Sequence, residues 1–391
     1  MKKKLCHVFF DEFPKDPRIR RYTNTLLKEG FEVFIISLND GNSNFFQKKK
    51  NLNIYRIPIK KKRGTFLSRF WEYLLFQFFA TILVSYVFLR HGVMIYHNHT
   101  LPDFLVFSCI LPKLFGAKII LDFHELFAEF MMQHKPNLTY SSLLIKTILL
   151  QEKLSFGFAS EVIVFHEPAK EILEKRVGYK RRITIVMNGV DELELPNFNK
   201  IYVDEFRLIY NGTINFNLNL TLVIRALNLI RKKDISLYNN MGFYLYGDGP
   251  DLENILNKAK ELNVDNVHYK GRLKFQEMVK ELEIASACVL PPQKDIYSDL
   301  YYSVKLTEMI YFRIPVIATR LKTYLHYYPE NCLIYFDSNN AEELAEKIIF
   351  TYKNRTAVNI FTVNAYHEYQ KINWKIMSDR YLNVISSFLE F

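Results

Sequence analysis

The stretch LCHVFFDEFPKDPRIRRYTNTLLKEGFEVFIISL, residues 5–38, holds one complete strand–helix–strand unit. Leu5–Phe10 is a short apolar run, the pattern of a strand buried on both faces. Asp16-Pro17-Arg18 marks a helix start: the Asp carboxylate accepts free backbone N–H groups, and Pro sits where no N–H is needed. Ile19, Tyr22, Leu26 and Leu27 then fall on one helical face. Gly30 ends the helix, and Phe31–Leu38 is the next strand.

The same alternation runs outward along the chain. Val93–Tyr96, Ala117–Leu121, Glu161–Phe165 and Ile183–Met187 are further strands, the last followed by Asn188-Gly189. A polar segment, Asp191–Lys200, carries Pro196 and marks a break between domains. Beyond it the scheme repeats. Phe206–Tyr210 leads into Asn211-Gly212 and a helix over Thr221–Ile230; Phe243–Tyr246 runs into Gly247-Asp248-Gly249-Pro250. Val267–Lys270, Ala287–Leu290 and Val316–Ala318 complete the set. Alternating strands and helices predict parallel sheets covered on both faces, here two doubly wound α/β domains. A length of 391 residues accommodates both. Ligands of such sheets bind at the carboxyl ends of the strands.

Composition narrows the class. Hydrophobic residues are 49% and charged residues 24%, which excludes a disordered chain. Net charge is +11 and is concentrated: residues 1–65 hold 16 Lys+Arg against 6 Asp+Glu. This basic surface is either simply solvated or attracts an anionic partner. An anionic membrane surface fits better than nucleic acid, because neither zinc spacing nor an RNA-binding aromatic signature is present. Cys6, Cys109, Cys288 and Cys332 form no CxxC pair, so they are expected as buried thiols in a reducing compartment. The N-terminal MKKKLCHVFFDEF meets Asp11 and Glu12 too soon for a signal peptide. Phe66–Leu89 is almost wholly apolar and follows Lys60-Lys61-Lys62-Arg63. It is expected as a helix, either buried in the core or lying on a membrane.

Several of these motifs together resemble glycosyltransferase family 4, whose fold is GT-B. They are Asp16-Pro17-Arg18-Ile19-Arg20-Arg21; the segment Ala117–Phe127, ending Asp122-Phe123-His124-Glu125-Leu126-Phe127; Asn188-Gly189-Val190-Asp191; Gly247-Asp248-Gly249-Pro250; and Lys305–Met309 through Ile314–Ala318. The resemblance implies two Rossmann-like domains whose parallel sheets face a central cleft: an acceptor domain over 1–195 and a nucleotide-sugar domain over 196–370. A C-terminal helix, 371–391, would cross back onto the first domain with Trp374 as its packing anchor. It implies a retaining transfer from a nucleotide-diphosphate sugar without metal or other cofactor. The departing diphosphate would accept the acceptor's proton, and the protein would supply position and charge. His124 is the catalytic residue it implies. Donor-binding residues would be Gly212, Thr213, Gly247, Arg272, Lys305 and Glu308, with the Glu308 carboxylate accepting both hydroxyls of a ribose diol. Acceptor-binding residues would be Arg18, His99 and Glu125. His97 and His99, spaced i,i+2, make no convincing zinc site without a third ligand.

The sequence departs from the family at the donor phosphates. The usual Arg after the strand-end glycine and the Lys five positions later are Thr213 and Leu218 here. The acidic residue usual eight positions before Glu308 is Leu300. Backbone N–H groups at Gly212, near a helix start, would remain for phosphate, with Lys305 and Arg272 supplying charge. The resulting expectation is a cytoplasmic enzyme, peripheral on the inner face of the cell membrane, building a polysaccharide or glycolipid on a glycan or lipid-linked acceptor. A GT-B scaffold partner of an active transferase is the alternative, followed by a sugar-nucleotide epimerase or phosphorylase.

Overall fold

The computed structural model describes residues 3–59, 66–178, 182–190, 192 and 195–389. Asp191 and the cluster Lys60–Arg63 lie outside the described residues. The chain forms two compact units, one of residues 1–188 with 375–391 and one of residues 189–374. The sequence-based boundaries were 195/196 and 370/371.

The first unit is an eight-stranded sheet. Its strands are β1 (Lys4–Glu12), β2 (Glu32–Leu38), β3 (Phe46–Lys49), β4 (Leu52–Ile57), β5 (Ile95–His99), β6 (Lys118–Phe123), β7 (Glu161–Val164) and β8 (Ile183–Ile185). Their order is β3-β4-β2-β1-β5-β6-β7-β8. All neighbours are parallel except β3 and β4, an antiparallel hairpin that the lysine-rich sequence did not signal. Helices α1 (Pro17–Lys28), α2 (Phe66–His91), α3 (Ile110–Leu114), α4 (Phe127–His134), α5 (Leu143–Phe158) and α6 (Glu167–Val177) make the connections. The start of α1 is as its sequence predicts: Asp16 Oδ1 accepts from the N–H of Arg18 at 2.8 Å and of Ile19 at 3.2 Å, and Pro17 opens the helix.

The second unit is a six-stranded parallel sheet in the order β11-β10-β9-β12-β13-β14. Its strands are β9 (Phe206–Asn211), β10 (Met241–Tyr246), β11 (Val267–Gly271), β12 (Ala287–Leu290), β13 (Val316–Thr319) and β14 (Ile334–Phe336). Its helices are α7 (Thr221–Lys233), α8 (Ile235–Asn239), α9 (Leu252–Glu261), α10 (Phe275–Glu283), α11 (Val304–Tyr311), α12 (Lys322–Tyr327), α13 (Ala341–Lys353) and α14 (Arg355–Gln370). The run Ile334–Phe336 is too short to show a period and was not anticipated. All four cysteines are buried free thiols.

The last helix, α15 (Trp374–Ser386), packs within the first unit through Met377, Tyr381, Val384 and Ile385. Trp374 is only half-buried, so the expected anchor is displaced to Tyr381. The Tyr381 ring lies 4.4 Å from that of Tyr22 on α1, and its hydroxyl is 3.0 Å from His97 Nδ1. Tyr381→Ala removes a fully buried aromatic and should lower unfolding free energy in urea by about 3–5 kcal/mol. Tyr381→Phe loses only the hydroxyl contact and should cost about 1 kcal/mol.

Candidate functional site

In the first unit, the middle of β1 and the carboxyl ends of β5 and β6 bring four histidines and a carboxylate together. Asp122, the next-to-last residue of β6, is fully buried. A charge there needs a partner, and α1 supplies it. The Arg18 Nη2 donates to Asp122 Oδ1 at 2.7 Å and Nε to Oδ2 at 3.2 Å, while Nη2 also reaches the Val186 carbonyl at 3.0 Å. Burial alone would raise the Asp122 carboxyl, but Arg18, with His124 and His97, holds it well below its ordinary value. Arg18 is itself only 4% exposed. This corrects its expected role: its guanidinium is consumed inside the fold and does not face an acceptor.

The histidines form a chain. His7 Nδ1 lies 3.0 Å from His99 Nε2, and His99 Nδ1 lies 3.1 Å from His124 Nε2. Asp122 Oδ2 sits 3.3 Å from His99 Nδ1, 3.5 Å from His124 Nε2 and 3.4 Å from His97 Nε2. Three of the rings are buried; His124 keeps 21% of its side chain exposed. A hydrogen bond between two neutral imidazoles needs one N–H and one lone pair, so the tautomers along the chain are coupled. With Nε2 engaged inward, His124 Nδ1 has no protein partner among the described residues. His99, Asp122 and His124 thus offer the third ligand that the sequence spacing lacked, and His7, His97 and His99 form a second such group. Their contacts are hydrogen-bond distances, and Asp122 Oδ2 already accepts from Arg18. Hydrogen bonding therefore accounts for the chain from His7 through His99 to His124, while the Nε2 atoms of His7 and His97 are buried without a hydrogen-bond partner among the described residues. His7 and Asp122 were not singled out from the sequence. The signal was available: a charged residue inside an apolar strand run must be paired.

His124 opens onto a cavity of about 880 Å³. Its polar end is formed by Asp11, Asp16, His99, His124 and Glu125, so two of the three expected acceptor residues line it. Its larger part is apolar, with Phe70, Tyr73, Phe104, Phe127, Phe130 and Met131.

The second unit carries the expected donor residues at its own strand ends. Ser303 caps α11, accepting from the Lys305 N–H at 3.1 Å. Lys305 Nζ and Glu308 Oε2, one turn apart, are 3.0 Å apart. The loops after β9 and β10 touch: a Cβ at Gly247, whose φ is +132°, would lie 1.8 Å from the Gly212 carbonyl oxygen. Only glycine permits that approach. One expectation needs correction here. The Gly212 N–H already bonds to the Tyr246 carbonyl at 3.0 Å, and α7 begins only at Thr221, so Gly212 is no phosphate cradle at a helix start. Thr213 is exposed, with its carbonyl accepting from the Tyr210 hydroxyl at 2.6 Å. Leu218, where a lysine was expected, packs against the core. Arg272 is exposed, without an ion pair among the described residues.

The buried histidines make a pH prediction. Burial, reinforced by neighbouring imidazoles, holds His7 and His99 well below the ordinary value of 6.5, and burial lowers His97. Below that pH the unfolded chain takes up protons that the folded chain refuses, so stability falls as pH falls. Each ring contributes a slope of about 1.4 kcal/mol per pH unit. Urea titrations from pH 7.5 to 5.5 should show this loss, and His7→Gln should make it shallower by that amount. Asp122 acts in the same direction, but its contribution persists until the pH falls below about 3.8.

Comparisons with known proteins agree with this architecture. Residues 18–192 match the model "Glycosyltransferase Family 4", and residues 191–368 match "Glycosyl transferases group 1". No curated protein matches the sequence. Among solved structures, sucrose-phosphate synthase from Thermosynechococcus elongatus is 16% identical with a TM-score of 0.75, covering 100% of both chains. WaaG, a glycosyltransferase involved in lipopolysaccharide biosynthesis, is 16% identical with a TM-score of 0.70, over 97% of this chain and 99% of that one. Anabaena Alr3699/HepE, solved in complex with UDP, is 11% identical with a TM-score of 0.69, over 99% and 100%. At these identities the structural likeness speaks for the fold alone. The two family models adjoin and together span nearly the whole chain, and with the two parallel sheets they place this protein among the GT-B glycosyltransferases.

Proposed function

We propose that the protein transfers a sugar, with retention of configuration, from a nucleotide-diphosphate donor to a hydroxyl of a glycan or lipid-linked acceptor. The product would be a cell-surface polysaccharide or glycolipid made on the cytoplasmic side of the membrane. The observation that carries this reading is His124: gripped through Nε2 by a buried network, and presenting its other nitrogen beside a cavity large enough for a sugar.

In this reading the acceptor occupies the cavity of the first unit. Glu125 at its polar end receives sugar hydroxyls, because a carboxylate accepts such donors. His99, 1% exposed with both ring nitrogens committed to His7 and His124, backs the cavity wall and does not take the acceptor role expected of it. The bond from the anomeric carbon to the leaving phosphate oxygen breaks and the bond to the acceptor oxygen forms on the same face. The acceptor proton passes to the departing diphosphate, so no metal or protein base is required. His124 Nδ1 hydrogen-bonds the transferred sugar and fixes its position, and the fixed imidazole loses no orientational freedom at the moment of reaction. Glu308 holds the donor ribose. With Thr213 and Leu218 in place of the usual cations, the diphosphate charge falls to Lys305 and Arg272. The UDP bound by the Anabaena structure supports a uridine donor as the first to test.

A panel of nucleotide sugars, assayed for donor hydrolysis and transfer, tests the reading. His124→Ala should lower kcat about 100-fold or more with donor affinity within about threefold of wild type. Glu308→Gln removes a charged hydrogen-bond acceptor and should weaken donor binding by about 10- to 100-fold. Full activity of the His124 variant would overturn the assignment.

A further inference from the structure

Helix α2 has two apolar faces. One is buried: Phe76, Ala80, Val84 and Val87 recur at helical spacing with no exposed surface. They seal the sheet, because α2 is the crossover between the parallel strands β4 and β5. The opposite face of such a helix normally meets water and is polar. Here it carries Trp71, Leu74, Leu75, Phe78, Ile82 and Leu89, with Trp71 65%, Phe78 60% and Leu89 73% exposed. From Trp71 to Leu89 this stripe runs about 27 Å. The hydroxyls within the helix do not relieve it: Thr81 and Ser85 donate to the carbonyls of Gln77 and Thr81, each at 2.8 Å.

The stripe continues onto its neighbours. The Phe88 ring lies 5.5 Å from that of Phe115, beside exposed Leu114 and Ile110 of α3. On the other side, Tyr86 lies 6.0 Å from Tyr55 and Tyr55 4.9 Å from Phe46. Phe45 and Phe46 are exposed there, and past Gln47 come the exposed Lys48 and Lys49 of β3 and Lys50 just after it. In the sequence, Lys60-Lys61-Lys62-Arg63 also precede α2.

We propose that this surface docks the protein on a bilayer containing anionic lipid, with α2 lying in the plane of the interface. Exposed aromatics and aliphatics enter the acyl boundary, while the lysines of β3 meet the lipid phosphates. Hydropathy and length alone would also allow α2 to cross a membrane. Its buried face argues against this, since a spanning helix would strip the layer that covers β1, β2 and β4. The lysine edge beside the apolar stripe favours a bilayer over a protein partner, because it matches both the apolar and the anionic zones of a membrane. Phe70 and Tyr73 of the same helix line the cavity below His124, so docking brings the acceptor pocket to the lipid. Docking deepens the proposed function by naming where the acceptor resides, yet its test does not depend on transfer.

The full chain is sedimented with extruded vesicles of phosphatidylcholine alone and of phosphatidylcholine with 30% phosphatidylglycerol. The protein should pellet with the anionic vesicles, and less so at high salt. The triple variant Leu75→Glu, Phe78→Glu, Ile82→Glu should bind at least about 20-fold more weakly, with an unchanged melting temperature. The variant Lys48→Glu, Lys49→Glu, Lys50→Glu should lose about fivefold per lysine on anionic vesicles alone. Trp71 is one of two tryptophans, so brominated lipid should quench wild-type fluorescence without any substitution. Wild-type protein remaining in the supernatant with both vesicles overturns docking, as does a triple variant that binds like wild type. A stable dimer that the triple variant dissociates, without vesicle binding, also overturns it and assigns the face to a second copy. Wild-type protein that transfers sugar but pellets with neither vesicle refutes docking alone; vesicle binding without any transfer refutes the proposed function alone.

Discussion

A carboxylate buried at the end of β6 can exist only if something cancels its charge, and most of the first unit is arranged around that requirement. Arg18 meets Asp122 with two nitrogens and the Val186 carbonyl with one of them. One side chain thereby joins α1, β6 and the segment after β8. Its position follows from the helix cap two residues earlier: Asp16 fixes where α1 starts, and so which residue projects onto β6. Such a pair adds little net stability, because desolvation offsets most of its attraction. Its consequence is geometric. Breaking it would leave an uncompensated buried charge, so α1 has one register that the core tolerates.

The same carboxylate organises the imidazoles. His97 and His99 share one face of β5 because strand side chains alternate, and β1 lies next to β5, which brings His7 alongside. His97 and His99 stack at 4.0 Å between ring centroids. Rings packed this closely cannot all be charged, and burial keeps the inner three neutral. The ring left at the surface, His124, can form hydrogen bonds outward while its inner nitrogen is committed. A flexible surface histidine would lack that constraint.

The βα alternation, the cap of α1 and the strand-end glycines were legible because they are local and repeated. The β3–β4 hairpin was not, since Phe46–Lys49 has no apolar alternation and pairs only at the sheet edge. The Arg18–Asp122 pair was hidden for a different reason: its partners are 104 residues apart, and no local rule connects them. In the second unit the sequence showed which cations were missing but not why. Leu218 is half-buried against the core, and Gly212 spends its N–H on the Tyr246 carbonyl. A lysine at 218 would give up part of that apolar contact. The loop is built for close backbone contact with Gly247; in the proposed reading, the charge for a diphosphate would then come from α11 and the loop after β11.

Helix α2 shows where pattern reading runs out. A sequence apolar on all sides allows a core helix or a membrane-facing one, and only the folded chain shows that one side is left uncovered by the described residues. The inner face is dictated by the sheet, which would collapse around smaller or polar residues at Phe76, Ala80, Val84 or Val87. Nothing in the fold dictates the outer face. Polar residues there would form the same helix, cover the same strands and spare the protein a surface that favours aggregation. The apolar residues at Trp71, Leu75, Phe78 and Ile82 carry a cost in solubility and return nothing to the core. Their cause has to lie in something the folded chain meets outside itself.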